Sequence, residues 1–200
     1  MRKTLYIFAV FAHCFGSLCG ADQMREHQVT VAGTKLRFAL HPSASEPVVA
    51  PEDVPSGNIP DVGGVRTFVR ATYDYKDGWK LGRDGIVRVV GMLMHRSPKH
   101  TVPFNDFDRV IPFIKSLGAE GEYTKVQVDG RTWLKGVEGS SATALRGSRY
   151  LEWRVALSAD LLIIFRVELE DFTAYTGKPA RWRTPALQMQ ERIFESFRIE

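Results

Sequence analysis

Acidic side chains cluster in two places, and each could in principle do chemistry. Glu168, Glu170 and Asp171 end a strongly apolar run, and a period of two puts Glu168 and Glu170 on one face. Paired carboxylates are the raw material of general acid–base catalysis, although at a strand end the same pair more commonly forms a solvated edge. Asp106 and Asp108 have the chemistry of metal ligands, but they open a helical pattern, where capping and the helix dipole account for them better. Of the histidines beyond the N-terminal segment, His27, His41, His95 and His100, no two have metal-ligand spacing on a helix. Nucleophile motifs are missing: Gly139-Ser140-Ser141 follows a hairpin, not a strained strand-to-helix turn. The glycines are never spaced as a phosphate cradle. The expectation is a protein without catalytic residues, metal or cofactor.

Recognition chemistry is better represented. Tyr75, Trp79 and Arg83 lie in a lysine-containing turn between two long strand patterns, and Tyr175, Arg181, Trp182 and Arg183 precede the final helical pattern. Trp, Tyr and Arg dominate binding hot spots, so these seven residues are the expected partner-binding set. The alternative is that their rings cover the ends of a sheet or the flank of a helix.

The elements that must position them follow from periodicity. Gln28–Val31 and Lys35–Leu40 read as a first hairpin around Ala32-Gly33-Thr34. Residues 41–64 carry Pro42, Pro47, Pro51, Pro55 and Pro60 with little apolar pattern and read as a long surface loop. Arg66–Tyr73 and Gly85–Met94 read as strands. Phe107, Val110, Ile111, Ile114 and Leu117 mark one face of a helix, capped by Asn105 or Asp106 and ended by Gly118, with Pro112 expected to kink it or confine its first turn. Asp129-Gly130 joins Tyr123–Val128 to Thr132–Val137, the strongest hairpin signal in the chain. Tyr150–Leu157 and Leu161–Leu169 pair across Ser158-Ala159-Asp160, and the continuous apolar run Leu161–Phe165 suits a central strand. Thr184 as N-cap and Pro185 as first helical residue begin a last helix with an apolar stripe of Ala186, Met189, Ile193 and Phe197. No strand–helix–strand unit repeats, so the expected class is α+β: an antiparallel β-sheet of about six to eight strands with two helices packed on it.

Composition bounds the compartment and the partners. Arg2 and Lys3, the apolar run Leu5–Phe15 and the small residues Gly16, Ser17, Gly20 and Ala21 have the order of a secretory signal peptide. The apolar run is well short of the ~20 residues that span a bilayer. Cleavage after Ala21 would remove both Cys14 and Cys19; neither follows a small residue, as a lipidated cysteine should. The expectation is a periplasmic domain over 22–200 with no thiol and no stable membrane insertion. Without Arg2 and Lys3, 25 basic residues face 23 acidic ones, well mixed along the chain. A nucleic-acid groove would need more.

The second half of the chain has a more specific likeness. Val128-Asp129-Gly130, Trp133, Gly136, Tyr150-Leu151-Glu152-Trp153, Phe165-Arg166-Val167-Glu168-Leu169-Glu170, Thr176-Gly177-Lys178-Pro179 and Ile193-Phe194-Glu195-Ser196-Phe197-Arg198 resemble the C-terminal domain of immunity proteins that neutralise type VI secretion phospholipase effectors. The ending also resembles the wider PsbP-like group of sheet-and-helix domains. The resemblance spans residues 85–200 and rests on packing and turn positions. It implies a non-enzymatic periplasmic protein whose partner is a secreted effector, a lipase by that likeness. The alternative it leaves is a PsbP-like accessory domain that binds an apolar ligand or an envelope complex.

Overall fold

A computed structural model describes residues 24–42, 45–59, 63–75, 85–116, 121–138, 149–171 and 181–200. Ten strands and two helices are found among them: β1 (Arg25–Val31), β2 (Thr34–Leu40), β3 (Ser45–Ile59), β4 (Gly63–Tyr75), β5 (Gly85–His95), α1 (Phe107–Ser116), β6 (Glu122–Val128), β7 (Arg131–Glu138), β8 (Arg149–Ala156), β9 (Leu161–Asp171), α2 (Arg183–Ser196) and β10 (Arg198–Ile199). The class is α+β, as expected. Seven strands form one antiparallel sheet in the order β3-β4-β5-β9-β8-β7-β6, and a smaller sheet runs β1-β2-β10.

Local chemistry fixes the turns. Asp129 and Gly130 take φ of 50° and 75°, the two left-handed positions that a tight Asp-Gly hairpin requires. Ala32 and Gly33 do the same for β1–β2, so that turn has two central residues, with Val31 facing Thr34. Asp106 starts α1: its carbonyl accepts from the Val110 N–H at 2.9 Å and its Oδ1 from the Arg109 N–H at 3.3 Å. The helix runs on through Pro112 to Ser116.

The alternation of each central strand divides the large sheet into two unlike faces. Val87, Val89 and Leu93 of β5, Leu151, Trp153 and Val155 of β8, and Ile163, Phe165, Val167 and Leu169 of β9 point to one side. There they meet β1, β2, β10 and α2 in a core that includes Leu36, Phe38, Ile193, Phe194 and Phe197. Phe197 stacks on Phe165 with centroids 4.5 Å apart, and Trp153 stacks on Phe194 at 4.8 Å. The opposite side carries a smaller core, where Phe107, Val110 and Ile114 of α1 cover Leu134, Leu162 and Ile164. The two helices thus pack on opposite faces of one sheet.

Two sequence expectations are corrected. Residues 41–64 are not a long loop, because β3 occupies most of the segment and pairs antiparallel with β4. Its prolines are tolerated at the sheet's edge, where a missing N–H breaks no second ladder, and its register shifts at three places. Thr184 does not cap α2. The helix begins at Arg183 with Trp182 at the N-cap, in helical backbone and without a side-chain cap. Pro185 becomes its third residue, still in the turn whose N–H groups lack partners within the helix, so no hydrogen bond is lost. Phe197 lies just past the helix in extended backbone, where it begins the path to β10.

Candidate functional site

Only half of the second face lies beneath α1. The rest is a grid of charged and aromatic side chains on the central strands, set by register. One row runs Tyr123, Gly136, Glu152, Arg166, Val90, Arg70 across β6, β7, β8, β9, β5 and β4. The next runs Tyr150, Glu168, Arg88, Thr72, and beyond it Glu170 faces Ile86, which faces Asp74.

These side chains form a continuous ion-pair chain. Glu152 is buried and receives both Arg154 and Arg166, the latter through Nε at 2.7 Å from Oε2. Arg166 reaches on to Glu168 at 3.7 Å. Arg88 then donates from Nη1 to Glu168 at 2.9 Å and to Glu170 at 2.8 Å. Aromatic rings sit under the guanidinium groups at one end: Arg154 stands over Tyr123 and Arg166 over Tyr150, 5.6 and 5.7 Å from the centroids. Gly136 leaves room for this, since a Cβ there would come within 2.7 Å of the Tyr123 ring.

Electrostatics make the network a set of fixed charges. Burial alone would push the Glu152 carboxyl up; Arg154 and Arg166 outweigh it by charge and hydrogen bonding and hold the group below the usual carboxylate range. Burial likewise disfavours the charge on Arg88, and Glu170 and Glu168 more than restore it. A carboxylate clamped between two guanidinium groups is a poor proton shuttle and a rigid recognition element. Among the described residues no group of three or more His, Cys, Asp or Glu is placed to hold a metal, and no helix is long and apolar enough to cross a membrane.

The aromatic and arginine residues singled out in the sequence are placed differently. Trp79, Arg83 and Tyr175 lie outside the described residues. Tyr75, Trp182 and Arg183 come together, but on the packed face. Tyr75 is the last residue of β4 rather than part of a loop, and its ring lies 5.8 Å from that of Trp182. Trp182 is buried over Gly85, where an added Cβ would come within 2.1 Å of the indole, so packing claims it. Burial pushes the Tyr75 phenol up to about 12. Arg183 anchors this corner by donating to the buried Asp171 at 2.7 Å. Arg181 is exposed.

Sequence reasoning noted Glu168 and Glu170 but read them as a solvated strand end. It passed over Arg88, Glu152, Arg154, Arg166, Tyr123 and Tyr150. The usable signal was the alternation itself: Glu152 and Arg154, then Arg166, Glu168 and Glu170, alternate with Leu151, Trp153 and Val155 and with Phe165, Val167 and Leu169. The chain matches no protein-family model and no curated protein sequence.

Proposed function

We propose that this is an exported immunity-type protein that works by binding and neutralising a secreted effector, without catalysis of its own. The observation that carries the reading is the half-face of the large sheet that no described element covers, where Arg, Glu and Tyr side chains are held in place by neighbouring strands. Preorganised Arg and Tyr on a rigid scaffold lose little conformational freedom when a partner docks. The likeness of residues 85–200 to immunity domains and the signal-peptide-like N-terminus suggest the compartment and the partner class, a lipase effector. The decisive experiment is co-expression with an envelope-directed lipase effector sought among the genes neighbouring this one. The chain should restore growth and co-purify with the effector; unprotected cells in which the chain accumulates would overturn the reading.

A further inference from the structure

The geometry points to a partner that presents acidic side chains to this half-face: a protein segment with two or three closely spaced carboxylates. This inference rests on the reading of the face as a protein-binding surface and specifies its chemistry. Four arginines, Arg70, Arg88, Arg154 and Arg166, share the face with Asp74, Glu152, Glu168 and Glu170, so by formal charge alone it favours neither sign. Depth breaks the tie. The side chains of Glu152, Glu168 and Glu170 are 4%, 13% and 19% exposed, whereas those of Arg166 and Arg88 are 27% and 36% exposed. Arg70 is exposed as well. Apart from the exposed Asp74 at its margin, the carboxylates lie underneath; Arg154, 12% exposed, lies at their level, and the guanidinium groups of Arg70, Arg88 and Arg166 lie on top.

The arginines are also arranged to grip. Arg166 and Arg70 flank Val90 on the neighbouring strands, and Arg88 is two residues from Val90 on the same strand. Strand spacing puts their Cα atoms within about 10 Å of one another. Both carboxylates on Arg88 take Nη1, and among the described residues no group claims Nη2 or Nε, so a fork of donors remains for a planar acceptor. Arg166 is already pinned by the buried Glu152, and Arg88 by the half-buried Glu168 and Glu170, which lowers the entropy lost on binding. The same carboxylates argue against an anionic membrane. Attraction to a lipid surface depends on net positive charge, which they cancel, whereas paired recognition of a carboxylate depends on local geometry.

The test uses the chain without its N-terminal signal-like segment, at low salt, with three probes. These are a fluorescent twelve-residue peptide rich in Glu and Asp, a Lys-rich peptide of equal length, and phosphatidylglycerol vesicles. The acidic peptide should bind at least tenfold more tightly than the basic one. Arg70→Glu should weaken it fivefold or more at unchanged Tm, and Arg88→Lys, which keeps the charge but loses the fork, should weaken it several-fold. Equal binding of both peptides, indifference to both substitutions at unchanged Tm, or vesicle binding that outcompetes the peptide would each overturn the inference. These readouts do not involve the effector: a failure to protect cells counts against the proposed function alone, and protection with no peptide preference counts against the acidic partner alone.

Discussion

The two faces of the seven-stranded sheet are built from alternate residues of the same strands, yet they serve opposite ends. On β9, Ile163, Phe165, Val167 and Leu169 are buried beneath the small sheet and α2, while Arg166, Glu168 and Glu170 between them form a charged surface. The difference teaches that rigidity and exposure are compatible here. The packed face fixes the strands, and the strands hold the charges on the other side in register. A loop could offer the same residue types, but only after losing freedom on binding.

Substitutions on each face should therefore fail in different ways. The largest effect belongs to the packed face: Phe197→Ala, which removes the ring stacked on Phe165, should cost about 3–5 kcal/mol in thermal or urea denaturation. A loss under about 1 kcal/mol would mean that the face is far looser than its stacked rings suggest. Gly85→Ala drives a methyl into the buried Trp182 indole, and the cost should approach 3 kcal/mol, the upper end of ordinary overpacking, with a shift in Trp fluorescence.

Glu152→Gln should cost about 2 kcal/mol through weakened charge-assisted hydrogen bonds. It should also change the acid limb of stability. The folded carboxyl holds its proton more weakly than the unfolded one, so its contribution is complete above the ordinary carboxylate value near 4.5 and is lost as pH falls through the lower folded value. Denaturation midpoints measured from pH 7 down to pH 3 should fall less steeply for the variant. A wild-type acid limb no steeper than the variant's would remove Glu152 from that role. The smallest effect on stability is expected for Arg70→Glu, within about 0.5 kcal/mol because the side chain is exposed; its consequence should be seen in binding.

Much of this fold was legible because local signals agree with it. Asp129-Gly130, the period of two in β4, β5, β8 and β9, and the helical spacing from Phe107 to Ile114 each specify their element without help from distant residues. β3 was hidden because its prolines read as loop, and only the edge position beside β4 makes them tolerable. The charged face was hidden for a different reason. Arg88 meets Glu168 across 80 residues of sequence, and which partner it meets depends on a register that no local pattern encodes. Trp182 misled for the same cause: in sequence it stands in a polar connection, while the glycine that receives its ring belongs to the start of β5.

The small sheet has a consequence for the order of assembly. Its middle strand, β2, takes β1 on one side from the residues just before it in sequence and β10 on the other from a segment far later in sequence, with Ile199 opposite Leu36 and the Glu200 N–H bonded to the Lys35 carbonyl at 2.9 Å. The Ser196 hydroxyl, at the end of α2, accepts from the Ala39 N–H at 2.8 Å. The hairpin of residues 25–40 thus waits for residues 198 and 199, made much later, before its free edge is sealed. Two-stranded ribbons are marginal on their own, and closing so long a loop is entropically slow. The packed face is therefore completed late, after β4, β5, β8 and β9 have all been made, and an interrupted chain would show its apolar side to any chaperone or protease nearby.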